Sequence, residues 1–442
     1  MRALIKNGMV IDPANSIKEK RDILIENSIV KLVKKKIDEE ANYVIDAKGL
    51  IVAPGFVDLH ANFCDPGATD REDLKSGSLS AAKGGFTHVV LGVDNKPAPS
   101  ECNVIDYIVR YATIMPTNIY ASASISEDRL GLEAADINFL YSHGAFAFYD
   151  GLKAIENKNL LAKVMTILKE KNKTISVFSG VTDDKYVKGI IDGATAKKLK
   201  IKNPTPLDAE ANDLKENLAL AKMTGVKLDL AYITSAESIK LVEEAKAEKL
   251  NVYAEVPALN LILTDKALDK YGTNAKVVPA LRSEADRVSL CQALKKGIID
   301  VISSNHVPIE QKEKGEKLKD ATSGAIGLET VLGICGLELV EEGYLTWKDV
   351  IEKISLNPAK VFDLDKEGVG SITEGKKANI TIFDPNEKWK FEEESIVSKS
   401  HNSPLIGTTL MGKVKYTICN GRLVYRAVEL NSNNNNDNEE KK

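Results

Sequence analysis

The sequence predicts an α/β protein, a TIM-type (β/α)8 barrel with a small β-sandwich domain built from both chain ends. Three observations carry this. Eight short apolar runs alternate with helical patterns between about residues 50 and 310. Both ends instead read as short strands joined by turns. The chain has 442 residues, 43% hydrophobic and 28% charged, enough for a barrel plus a smaller domain. The expected boundaries are 1–52 plus 365–428 for the sandwich and 53–364 for the barrel. Residues 429–442, Asn-rich and charged, read as a disordered tail.

In chain order, Ala3 to Ile11 reads as a strand pair with Asn7-Gly8 as its hairpin turn. Arg21 to Asn27 and Ile29 to Val33 read as further strands. Barrel strands are expected over 50–62, 86–93, 118–126, 144–150, 174–180, 226–234, 251–258 and 297–305. Helices fall between them, as over Asp213 to Thr224 and Ala236 to Leu250. The second carries a stripe of Ile239, Leu241, Val242 and Ala245. After about 368 the strand texture returns at Ala378 to Asp384 and Val414 to Tyr425. In such a barrel chemistry sits on the loops at the C-terminal strand ends.

Composition excludes some functions. A net charge of −4 gives no footprint for a nucleic-acid partner. No apolar run reaches the roughly 18 to 20 residues that span a bilayer. Met1 to Lys6 lacks the apolar core of a signal peptide. The five cysteines are scattered without a CxxC pair, so a reducing cytoplasm is expected. Only five histidines are present: His60, His88, His143, His306 and His401.

The most informative stretch is Pro54 to Gly67, an apolar strand running into an Asp65-Pro-Gly turn. His60 and Asn62 are two apart, so they leave the strand on one side. Asp58-Leu-His60-Ala-Asn62-Phe-Cys64-Asp65-Pro66-Gly67 resembles the signature of the class I dihydroorotases, Asp-x-His-x-His-x-Arg-Glu/Asp-Pro-Gly. Ser76-Gly77 with Gly84-Gly85, Gly324 to Thr330, Asn357 to Phe362, Glu374 to Asp384 and Ser398 to Gly407 extend that resemblance over about residues 1–427. It implies an amidohydrolase barrel, a binuclear metal site and hydrolysis of a cyclic amide.

Compared position by position, the resemblance also shows departures. The family's second metal-binding His is Asn62, and its carboxylate-gripping Arg is Cys64. Asp94 stands for a substrate-binding Asn, and reads as a loop Asp satisfying its own backbone. Asp150 stands near the acidic ligand in a stretch one residue shorter, and serves equally as a turn residue. Phe178 and Tyr232 stand where two further histidines ligate. A phenyl ring has no lone pair for zinc and is expected to fill the metal's cavity. Val278 and Ile309 replace substrate contacts. Asn305 replaces the Asp that accepts the proton of the hydrolytic water, and an amide cannot. His306 remains, with a structural role expected.

Of the six implied ligand positions, His60, Asn62, Asp150, Phe178, Tyr232 and Asn305, only His60 and Asp150 offer ordinary ligands. The first reading is therefore a catalytically silent homologue with no metal or cofactor. By resemblance it would bind the catalytic chain of aspartate transcarbamoylase and form a homo-oligomer in pyrimidine biosynthesis. A second reading keeps a residual or altered cyclic-amide hydrolase, with zinc on His60 and Asp150, helped by Tyr232 or His306, or with Cys64 as nucleophile. A third is a small-molecule sensor with an apolar pocket.

Overall fold

The computed structural model describes residues 2–181 and 183–427. The expected tail, 429–442, lies outside the described residues.

Five strands open the chain: β1 (Arg2–Asp12), β2 (Ile17–Glu26), β3 (Ile29–Lys34), β4 (Tyr43–Asp46) and β5 (Ile51–Pro54). β1 is their hub. One edge pairs antiparallel with β2, and the other pairs parallel with β4 at Ala3↔Tyr43, then with β5 at Met9↔Ile51. Asn7-Gly8 is a bulge inside β1 rather than the expected hairpin turn. Asn7 has φ 64°, and its N–H donates to Asp22 Oδ1 at 3.0 Å, so the neighbouring strand holds it. A Cβ at Gly8 would lie 2.4 Å from Val52 Cγ2. The chain reverses at 13–16 instead, where the Asp12 carboxylate accepts from Ala14 N at 3.1 Å and Asn15 Nδ2 at 2.7 Å.

The barrel strands are β6 (Phe56–Ala61), β7 (Phe86–Leu91), β8 (Asn118–Tyr120), β9 (Ser122–Ala123), β10 (Ala147–Phe148) and β11 (Thr174–Val177). A two-stranded excursion, β12 (Val187–Ile191) and β13 (Pro204–Thr205), precedes β14 (Lys227–Leu230), β15 (Val252–Pro257) and β16 (Val301–Ser303). Parallel ladders join β6-β7-β8, β9-β10 and β11-β14-β15-β16, with β8 and β9 as two halves of one expected strand. Asn62 N donating to His306 O at 2.9 Å ties the first strand's end to the eighth's. All eight expected runs hold a strand, each ending before its run does, because the last residues leave the ladder for the mouth.

The first run, 50–62, is split at Gly55. Its N–H donates to Asn379 O at 2.9 Å, and a Cβ there would overlap Thr87 Oγ1 at 2.2 Å. Ile51–Pro54 therefore joins the terminal sheet while Phe56–Ala61 enters the barrel. That sheet ends with β17 (Ile380–Lys390), β18 (Thr409–Cys419) and β19 (Arg422–Arg426). Its order is β19-β18-β17-β5-β1-β2-β3, with β4 on β1. The expected sandwich is one continuous sheet, because β5 pairs antiparallel with β17 at Val52↔Ile382 and joins the two ends. Ile5, Val10, Ile23 and Ile25 meet Ile380, Ile382 and Ile418 in one apolar cluster.

Helices flank the barrel. Ala236–Ala247 starts where expected, with Ser235 accepting from Ser238 N at 3.1 Å as its cap. Among the described residues no helix is long and apolar enough to cross a membrane.

His88, on β7, is buried between Thr87 Oγ1 at 2.9 Å and the Asn118 amide, which donates to Nε2 at 3.2 Å. Burial pushes its pKa down to about 3. The unfolded chain takes up this proton near pH ~6.5, and the folded chain only near 3. Stability is thus expected to fall as pH drops from about 6.5 to 3. Urea midpoints across that window check it: His88→Gln should flatten part of the slope, and an unchanged slope counts against it.

Candidate functional site

Buried side chains fill the barrel around His60. From β14 and β15 come Asp229 and Glu255. His60 Nε2 lies 2.9 Å from Asp229 Oδ2 and 3.1 Å from Glu255 Oε1, with all three side chains at most 1% exposed. Ser176 Oγ on β11 also donates to Asp229 Oδ2, at 2.7 Å. His60 has φ 67°, a left-handed conformation at the end of β6. Burial alone would lower its pKa, but Glu255 and Asp229 outweigh this and raise it to about 10, so the imidazole is protonated. Burial, reinforced by the Asp229 charge, raises Glu255. One ring N–H serves two carboxylates. It aligns on Asp229, leaving both Glu255 oxygens, Asp229 Oδ1 and His60 Nδ1 buried without a hydrogen-bond partner.

Aromatic rings enclose this triad. Tyr149 lies 4.4 Å from the His60 ring, centroid to centroid, with Tyr232 and Phe362 at 6.3 Å. Toward the mouth, Tyr149, Phe178 and Tyr232 pack with Val93 and Ala231, against Leu152 and Val278. Phe178 is buried within this cluster. Two of the cavities lie at the strand ends. One, beside Phe178, Val278, Thr234 and Arg282, measures about 50 Å³. The other, beside Ser304 and Asn305, measures about 10 Å³. Small-molecule sites run from about 300 Å³ upward, so these hold only a few waters.

The other expected positions are occupied by protein contacts. Asp150 accepts from Ile125 N at 2.7 Å and Ser126 N at 3.1 Å on one oxygen, and from Ser126 Oγ on the other. Both its oxygens hold the third and fourth strand ends together. Asp94 does not satisfy its own backbone as expected. Its carboxylate pairs with Arg129 Nη1 at 2.7 Å, and Arg129 also donates to Val93 O and Asp150 O. Asn305, at φ 45°, donates Nδ2 to Val278 O at 3.0 Å. Asn62 lies so close to Gly92 that a Cβ there would sit 2.0 Å from its Oδ1.

Ile309 is buried, its N–H donating to Asn402 Oδ1 at 3.1 Å. Cys64 is buried, and burial pushes its thiol well above the ordinary range, the opposite of what the Cys64 nucleophile reading needs. His306 is buried too. Its Nδ1 accepts from Gly327 N at 3.2 Å, and its Nε2 lies 3.4 Å from Glu72 Oε2. Asp58 accepts from Ser304 N at 2.7 Å and Ser304 Oγ at 2.6 Å, binding β6 to the end of β16.

The model of the amidohydrolase family matches residues 51–424. The chain belongs to the amidohydrolase family. Among curated relatives of this amidohydrolase, a dihydroorotase from Clostridium acetobutylicum is 38% identical over 424 residues, 96% of this chain and 99% of that one. One from Aquifex aeolicus is 35% identical over 428 residues, 96% and 100% of the two chains. Among solved structures, an L-hydantoinase from Arthrobacter aurescens superposes with a TM-score of 0.85 at 22% identity, covering 97% of each chain. The fold is therefore the one this hydantoinase has.

The binuclear centre that the dihydroorotase resemblance implies does not fit the donors this amidohydrolase presents at its mouth. Phe178 offers no lone pair, and burial raises the Tyr232 phenol well above its ordinary value. Both Asp150 oxygens are engaged, and Asn305 has turned its amide to Val278. Of the two expected ligands, His60 faces Asp229 and Glu255 within the barrel, apart from Asp150. Reading the strand ends alone missed those two acids. The signal lay in the strands themselves, as a lone carboxylate in each of the runs Leu228-Asp-Leu and Ala254-Glu-Val.

Proposed function

We propose that this protein is a dihydroorotase homologue that no longer hydrolyses a cyclic amide, and that it serves as a scaffold or regulatory subunit for the catalytic chain of aspartate transcarbamoylase. One observation carries the first half. The mouth is packed with Tyr149, Phe178, Tyr232, Val93 and Val278, and the cavity beside Phe178 and Val278 is about 50 Å³. Hydrolysis of this type needs a metal-activated water, a polarised carbonyl and a carboxylate base in one open space. Here the base position is Asn305, and the ligand positions include Phe178 and Tyr232. The partner rests on the dihydroorotase resemblance, which also supports a homo-oligomer, pyrimidine biosynthesis and a cytoplasmic setting.

Two measurements test the proposal. Dihydroorotate turnover after incubation with zinc should stay at the no-enzyme rate, and metal-dependent turnover would favour the residual hydrolase instead. Mixed with the cognate aspartate transcarbamoylase chain, the protein should co-elute on gel filtration. Separate elution at concentrations well above micromolar would remove the scaffold role.

A further inference from the structure

We propose that the barrel interior binds one divalent transition-metal ion of the zinc class on His60, Asp229 and Glu255, as a structural site sealed from the mouth. The inference does not rest on the scaffold reading.

Geometry comes first. One donor atom from each residue lies within 4.8 Å of the others, and His60 Nε2 is 2.9 and 3.1 Å from its two partners. Zinc with nitrogen and oxygen ligands at roughly 2.0–2.2 Å sets tetrahedral donors about 3.3 Å apart. The two His60 distances need to open by only a few tenths of an ångström. Ser176 Oγ on Asp229 Oδ2 supplies an outer hydrogen bond that orients this ligand.

Charge and hydrogen bonding agree. Binding releases the His60 proton to solvent; two carboxylates, the now neutral imidazole and a divalent ion then sum to zero, the condition for placing charge in a dry interior. The ion would also give a partner to Glu255, whose oxygens are both buried without a hydrogen bond. The Tyr149 and Tyr232 hydroxyls are buried and unpartnered as well, within electrostatic reach of Glu255 and Asp229. Of this set only His60 coincides with a dihydroorotase ligand position. Asp229 and Glu255 sit within their strands, short of the loops. The burial of the cluster means that the ion enters while the chain folds.

The test uses the full chain, unfolded in denaturant with a chelator and refolded with zinc chloride. After dialysis against chelator, elemental analysis should find about one zinc per chain. X-ray absorption should show a first shell of nitrogen and oxygen only, including an imidazole. The Asp229→Asn/Glu255→Gln variant should retain about tenfold less zinc or lower still. Cys102→Ser should change nothing; it disables the partly exposed cluster of Cys102, Asp106 and His143, the other group of potential ligands among the described residues. Refolded wild-type protein without zinc, zinc retained by the double variant, or a sulfur scatterer at roughly 2.3 Å would each overturn the proposal. The wild-type absorption spectrum decides the matter even if the double variant fails to fold.

Discussion

Replacing His60 by alanine is expected to destabilise the protein by about 3–5 kcal/mol, the cost of removing one partner from a buried ion pair. The substitution leaves Asp229 and Glu255 facing each other, both fully buried, with Ser176 Oγ as the one hydrogen bond they retain from that set. Lost packing against Tyr149 adds to the cost. Urea unfolding of the full chain measures it. A companion variant isolates the cause: changing all three members to apolar residues of similar volume removes the charges together, and should recover most of the loss. A His60→Ala midpoint within error of wild type would mean that the triad is not the buried ionic core described above.

Truncating Phe178 to alanine is expected to cost about 3–5 kcal/mol, the usual range for deleting a buried aromatic ring. Phe178 is 7% exposed, so the lower part of that range applies. The sign separates two uses of the mouth. A working site holds residues that are poorly placed for stability, and removing one often leaves the fold unharmed or firmer. A ring that serves as packing costs the fold its contacts and leaves a void beside Tyr149 and Tyr232. Thermal and urea unfolding check this. Unchanged stability in Phe178→Ala would return the mouth to the list of functional surfaces.

Much of the architecture was legible because a buried parallel strand is a short, nearly uninterrupted apolar run, and all eight runs gave strands. Their ends were less legible. The run 50–62 carries no polar break, and its one signal of division, Pro54-Gly55, is passed over in reading it as a single strand; the divider is the close approach of Thr87 to Gly55. Asn7-Gly8 has the composition of a hairpin turn, but a carboxylate from another strand, Asp22, decides its use. At the site, the substitutions Phe178 and Asn305 could be read in one dimension, since a side chain without a lone pair or a titrating carboxylate is barren in any fold. Where His60 would turn could not be read. Its partners are 169 residues away for Asp229 and farther for Glu255, and only closure of the barrel brings them to it.

The antiparallel pairing of β5 with β17 has a consequence for biosynthesis. Ile51–Pro54 leaves the ribosome more than 300 residues before its partner strand Ile380–Phe383. At translation rates of about 5–20 residues per second, one edge of the amino-terminal sheet stays open for tens of seconds. Such an edge, apolar and unpaired, invites pairing with neighbouring nascent chains. Chaperone capture during synthesis, released once the carboxy-terminal strands emerge, is the safeguard this topology calls for.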